Sequence, residues 1–400
     1  MTQQPLPKYI PALTGVRALA AYLVFISHYD YVFDGSFPHI VQRSLQEFHI
    51  GVTIFFVLSG FLITYRYYYN FYLTSDRFRQ YLKNRIARIY PMYFLLTICA
   101  FVYDYLTRDA NAGSALPNTF VLLLMNLTFL RGFFNDLKFT GIAQGWSLTV
   151  EECFYFAAPF AFWFHKRYKK LLLQPVVIIA TGALLVLMFG HLDWYGFFGN
   201  MTFMMIHTFF GRCFEFFAGI YLALVLLNKG MPNGNRSNYT YPAFALIFVC
   251  PVVMGLLPIP HGWSAGLHHP IGIVINNFVL ASVIAIFFYG LITEATFLKK
   301  ALASPLAELL GKSSFIFYLI HLGFFRDLLN NGLNLLNDQV FEWYDRRRLD
   351  WHSPFENDVV NLVLQFVLLN LISIFLYKCI EEPLNHRIRR SSLLIRPKQR

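Results

Sequence analysis

The stretch RALAAYLVFISH, Arg17 to His28, is apolar between a guanidinium and an imidazole. Eleven residues at ~100° each come to ~1100°, within about 20° of three whole turns, so Arg17 and His28 share one helix face, about 16 Å apart along the axis. The surrounding run, 12–33, is long enough to cross a hydrocarbon core of ~30 Å, which takes ~20 apolar residues. Its ends then carry ionisable groups that a lipid-facing helix does not need.

Composition extends this reading to the whole chain. Of 400 residues, 56% are hydrophobic and 14% charged, and the forty-four Phe and twenty-four Tyr suit lipid-facing surfaces and interfacial belts. The net charge of +11 could suit nucleic acid, but the basic residues fall in short connections between apolar runs, which is a topology signal. Nucleic acid is therefore not an expected partner. The five cysteines lie in or beside apolar segments without a CxxC pair, and read as small apolar fillers, with neither disulfides nor a metal site expected. The N-terminus lacks the pattern of a cleaved signal peptide, so the first run is expected to be retained.

Further candidate spans lie at 50–70, 88–107, 146–165, 172–192, 203–227, 241–258, 271–293, 314–334 and 358–379, making ten with the first. The shorter TFVLLLMNLTFL, 119–130, fits a re-entrant or buried segment. With ten spans and both termini cytoplasmic, 23 of the 33 Lys and Arg fall inside, 7 outside and 3 within spans. If 119–130 crossed, 16 of those 23 would face out. The expectation is an all-α polytopic membrane protein with one transmembrane domain, 1–385, and a basic cytoplasmic tail, 386–400. No hydrophilic stretch is long enough for an appended soluble domain, so any chemistry is built from spans and short loops.

Ionisable groups within spans are the candidates for that chemistry. His28 reads either as a buried histidine bonded to a neighbouring helix or as a functional group, and Asp30, at i+2, faces away from it. Arg85 and Arg88 in NRIARIYP are i,i+3, either a positive-inside anchor or a pair of guanidinium forks for a polyanion. Trp146 and Ser147 open a span in which Glu151 and Glu152 follow about a turn deeper, an unusual place for two carboxylates. Arg212 and Glu215 read as a structural ion pair, His207 as interfacial, and Glu381 as a cap or salt bridge. Ser314, Tyr318 and His321 form a polar stripe on an apolar helix, either a packing ladder or part of a site.

Taken in order, ALTGVRALAAYLVFISH, GVTIFFVLSGFLITYR, RIARIYPMYFL, WSLTVEECFYFAAP, RCFEFFAGIYLA, SSFIFYLIHL and IEEPLNHR resemble the membrane-bound acyltransferase family 3 from Tyr9 to Arg389. The resemblance implies an enzyme moving an acyl group, usually acetyl, from cytosolic acyl-CoA to a hydroxyl of a carbohydrate, glycolipid or other acceptor at the outer face. It also implies an integral membrane location, commonly the bacterial cytoplasmic (inner) membrane, and, without a C-terminal esterase-like domain, the stand-alone subgroup. Carried over, Arg17 and His28 match the first-span pair, Arg85 and Arg88 the arginine pair, Glu151 the acidic position after Trp-Ser-Leu, and Ser314, Tyr318 and His321 the late-span motif.

The expected mechanism has Arg85 and Arg88 holding the phosphates of acyl-CoA, acetyl-CoA above all, with Arg17 guiding the donor. His28 is the general base, and Glu151 orients its imidazole or tunes its pKa. Ser147, Trp146, Ser314, Tyr318 and His321 are expected to supply oxyanion donors or hold the acceptor. Direct transfer and an acyl-enzyme both stay open. A transporter or flippase of an envelope precursor is the alternative, and it calls for an inverted repeat that the sequence does not display.

Overall fold

The computed structural model describes residues 7, 9–33, 35, 37–69, 74–107, 117–230, 238–259, 265–347 and 358–391. Lys8, Arg108, Arg236 and Arg348, used in the charge count, and 392–400 of the expected tail lie outside them. The chain is an all-α polytopic membrane protein. Among the described residues there is no strand, apart from an isolated bridge between Phe134 and Phe197.

The first half is built from α1 (Pro11–His28), α2 (His39–Gln46), α3 (Gly51–Tyr67), α4 (Ser75–Thr107), α5 (Thr119–Leu127), α6 (Trp146–Tyr168), α7 (Leu173–Phe189) and α8 (Met201–His207). The second half contributes α9 (Phe209–Lys229), α10 (Thr240–Leu256), α11 (Pro270–Val274), α12 (Ala281–Thr293), α13 (Phe297–Leu302), α14 (Pro305–Ile320), α15 (Phe324–Asp345), α16 (Asp358–Leu376) and α17 (Glu382–Arg390). A π-helical stretch, Ile275–Leu280, joins α11 to α12, and another, Tyr377–Glu381, joins α16 to α17. Six helical stretches are long and apolar enough to cross a membrane, and α7 and α10 are shorter apolar helices. The two remaining expected runs hold α6 and α14.

Burial is inverted relative to a water-soluble protein. Leu187 is 73% exposed, Phe375 64% and Phe160 56%, whereas Arg131, Arg212 and Glu215 are buried. That is the arrangement lipid demands: apolar side chains outward, polar groups facing one another inside.

Small residues let the inner helices meet backbone to backbone. A Cβ at Gly60 would overlap the carbonyl oxygen of Phe216, and one at Gly219 that of Val57, so α3 and α9 lie in direct contact. Thr53 near the start of α3 reaches Arg212 near the start of α9, and Tyr69 just past the end of α3 reaches Asn228 at the end of α9, so the two run parallel. The α1–α14 pair is parallel too: a Cβ at Gly311 would overlap Thr14 O at one end, and His321 meets His28 at the other.

Two elements depart from the sequence expectation. The apolar run 314–334 is not one span: α14 starts at Pro305, capped by Ser304 Oγ accepting from Ala307 N at 3.3 Å, and stops before Gly323, whose φ of +70° lies in the left-handed region. The apolar pattern runs through this turn into α15, and the hydropathy alone conceals it. The run 12–33 likewise ends its helix at His28. Asp30 then begins a 3-10 turn and accepts a 2.9 Å bond from Gln46. The tail boundary at 386 falls inside α17, which packs along α4 where Lys83 Nζ donates to Ser391 O at 2.8 Å.

Candidate active site

His28 is the last residue of α1, and His321 caps the end of α14, so the parallel pairing brings two imidazoles to one depth. His28 Nδ1 lies 2.8 Å from Val24 O and 3.2 Å from His321 Nε2, and His321 Nδ1 lies 2.8 Å from Tyr318 O. A carbonyl oxygen accepts only, so both Nδ1 atoms carry the proton. His321 Nε2 is then a lone pair receiving from His28 Nδ1–H, and His28 Nε2 is left as a basic nitrogen. Tyr29 O–H holds the backbone of this pair by donating to His321 O at 3.1 Å.

One cavity reaches His28, and a second lies beyond Tyr318. The outer one, about 580 Å³, is lined by His28 together with Trp146, Gln144, His207 and Lys138. The inner one, about 50 Å³, is lined by Arg17, Arg88, Glu151, Ser147 and Ser314. Val52 and Tyr318 line both, so Tyr318 stands at the boundary. Ser147 Oγ is 2.9 Å from Gln144 O and 2.8 Å from Tyr318 OH, and Tyr318 OH is 3.4 Å from Gln144 O, so the two hydroxyls share one carbonyl. Ser314 Oγ donates within its own helix, to Gly311 O at 2.9 Å.

Several sequence expectations are redrawn by this geometry. Glu151 does not orient His28: its carboxylate accepts from Ser59 Oγ and, at 2.6 Å, from Tyr155 OH, at the inner cavity. The partner of His28 is His321. Arg85 and Arg88 are not placed alike: Arg88 lines the inner cavity and Arg85 does not. Arg85 is buried with its guanidinium carbon 5.6 to 5.9 Å from the ring centroids of Tyr67, Tyr81 and Tyr155. Arg88 and Arg17 are the inner-cavity cations. Arg212 bonds Glu215 at 2.6 Å, the expected ion pair, and also donates to Thr53 Oγ1 and Ile206 O. His207 is buried against Trp146, ring centroids 4.8 Å apart.

The acyltransferase domain model matches residues 10–377, nearly the whole described chain. The chain belongs to the acyltransferase 3 family. It is similar to the O-acetyltransferase OatA of Staphylococcus aureus, 26% identical over 198 residues, covering 46% of this chain and 30% of that protein. It is also similar to the peptidoglycan O-acetyltransferase OatA of Listeria monocytogenes, 29% identical over 194 residues (44% and 28%). A putative peptidoglycan O-acetyltransferase, YrhL of Bacillus subtilis, is 30% identical over 164 residues (38% and 23%). The match thus spans less than a third of the length of each relative. No solved structure matches.

The acyltransferase fold gathers residues that single motifs did not mark. Gln144, His49, His268 and Lys138 lie on turns and short helices, where neither periodicity nor a span singles them out. Arg131, wholly buried, donates to Ile142 O at 2.5 Å and braces the turn that carries Gln144 and Trp146. Glu47 Oε1 accepts from Gly266 N at 2.5 Å and ties the start of α3 to the turn bearing His268. A sequence signal did exist for Arg131 and Gln144: each is a polar residue close beside an apolar run, 119–130 and 146–165.

Proposed function

We propose that the chain is a transmembrane O-acyltransferase moving an acyl group, acetyl in the simplest case, from acyl-CoA on the cytosolic side to a hydroxyl of a carbohydrate or glycolipid on the outer side. The single observation that carries this reading is the His28–His321 pair, in which His28 lines the outer cavity and His321 bonds the backbone of Tyr318, the side chain that this cavity shares with an inner one of unlike chemistry. The narrow inner cavity, with Arg17 and Arg88, suits the acyl end of a polyanionic donor, while the wide outer one suits a saccharide. Family membership and the O-acetyltransferase names of the relatives support the reaction class.

In this mechanism the acceptor oxygen attacks the thioester carbonyl as its proton passes to His28 Nε2. The resulting imidazolium is held by Val24 O and by the His321 Nε2 lone pair, both on its Nδ1–H. The C–S bond breaks, the sulfur leaves with the proton from His28, and the acyl group remains as an ester. Tyr318, turned from Ser147 toward the carbonyl, would donate to the developing oxyanion. The test is mass analysis of cell-surface glycans and lipids from cells carrying the wild type, the His28→Ala variant, or a deletion. Loss of one acyl mass increment in both altered strains is expected; identical profiles in all three would overturn the proposal.

A further inference from the structure

The outer cavity holds more polar apparatus than proton transfer needs. Among the described residues its lining includes no carboxylate. Of the acidic groups on neighbouring segments, Glu215 pairs with Arg212, Glu47 Oε1 accepts from Gly266 N while its Oε2 lies 3.8 Å from His49 Nε2, Asp30 accepts from Gln46, and Asp136 accepts from Asn135 Nδ2 at 3.2 Å. Lys138 is different. Its ammonium donates to Asn135 O at 2.6 Å and Oδ1 at 2.9 Å, which leaves a third proton, and it forms no ion pair within 4 Å among the described residues. It sits 4.7 Å from the ring centroid of Phe139, half-buried at the cavity wall.

Beside it are polar atoms that the fold leaves unused. Both side-chain atoms of Gln144, which is 3% exposed, and Nδ1 of His207, 8% exposed, are buried without a hydrogen-bond partner. A native chain keeps few such groups, because each costs about 1–3 kcal/mol when nothing occupies it. The Trp146 ring, edge-on to His207, offers an apolar plate in the same wall. Hydrogen-bonding amide and imidazole, a flat apolar surface and one cation without a direct ion pair together describe a pocket for an acidic sugar.

Resting on the acyltransferase reading, we infer that the outer cavity receives a saccharide bearing an anionic substituent, carboxylate or phosphate. Lys138 is its counter-ion, Gln144 and His207 its hydrogen-bond partners and Trp146 its ring platform. Electrostatics agrees. Burial holds Lys138 below the usual ammonium range against the pull of Asp136, and burial, with Lys138 adding to it, holds the His268 imidazole below its usual value. An arriving anion would relieve both.

The experiment uses the purified full chain in liposomes with acetyl-CoA. The probes are envelope glycan fragments from the host cell, untreated, amidated at their carboxylates, or stripped of phosphate with hydrogen fluoride. For wild type, one neutralising treatment should raise the half-saturating fragment concentration about tenfold or more, and which treatment does so tells carboxylate from phosphate. The Lys138→Gln variant should need that higher concentration even for untreated fragments, while Lys138→Arg restores it. Equal use of all three fragment sets by wild type would overturn the inference while leaving the acyltransferase reading intact. No transfer to any fragment by wild type would overturn both.

Discussion

His28 and His321 are 293 residues apart in sequence and 3.2 Å apart in space, and the role of each depends on that contact. A base that takes a proton in a lipid-embedded protein needs its new charge met, and here the receiving group is a neutral imidazole lone pair instead of a carboxylate. Replacing His28 with Ala should cut kcat by about 10²–10⁴-fold, the usual contribution of a positioned general base. Replacing His321 with Ala should cut kcat by about 10–100-fold, the worth of one hydrogen bond to a charged group, with KM for acetyl-CoA within about twofold. His321→Asn, whose amide oxygen also accepts, should recover part of the loss. A His321→Ala variant with kcat unchanged in a liposome transfer assay would separate the pair from the chemistry. The sequence made Arg17, His28 and their common face readable, because helical phase is local. It could not make the partner of His28 readable, because that depends on where α14 ends. The motif position of Glu151 suggests a role at the His28 imidazole, whereas packing gives its carboxylate Ser59 and Tyr155 as partners.

At the scale of elements, the depth of His321 relative to His28 is set by how closely α1 and α14 approach. Gly311 allows that approach, since a Cβ there would overlap Thr14 O, which is backbone and has no rotamer by which to yield. A Gly311→Val substitution should therefore push the helices apart, cost about 1–3 kcal/mol of stability by overpacking, and lower kcat although both histidines remain. Gly332 is the control. It lies within α15 with nothing near its Cβ direction, so Gly332→Ala should keep activity and stabilise α15 by up to about 1 kcal/mol. Thermal unfolding in detergent alongside liposome kinetics checks both. The ten apolar runs were legible because hydropathy over ~20 residues is a strong signal. The break at Gly323 was not, since apart from His321 the flanking LIHLGFF is apolar and a positive φ leaves its trace in a single residue.

On the scale of the whole molecule, the two parallel helix pairs constrain which way the chain faces. With spans alternating in direction, the first and ninth of the ten runs must be parallel, as must the second and sixth, and α1–α14 and α3–α9 are parallel. A crossing inserted at 119–130 would reverse α9 and α14 relative to α3 and α1. The nine-residue α5, about 14 Å long, is too short for such a crossing. Helix packing and the charge count therefore exclude the same alternative on independent grounds, and the charge count, which alone bears on sidedness, leads us to expect the Arg17 end of α1 toward the cytosol. The direction is checked by thiol labelling. In a background with Cys99, Cys153, Cys213, Cys250 and Cys379 replaced, Asp136→Cys and Lys170→Cys each place one exposed thiol near opposite ends of α6. A membrane-impermeant maleimide should label the Asp136→Cys variant in intact cells and the Lys170→Cys variant after permeabilisation. The reverse pattern would turn the molecule over, leaving His28 and the wide cavity facing the cytosol, and acyl transfer would then have to draw both donor and acceptor from the opposite sides.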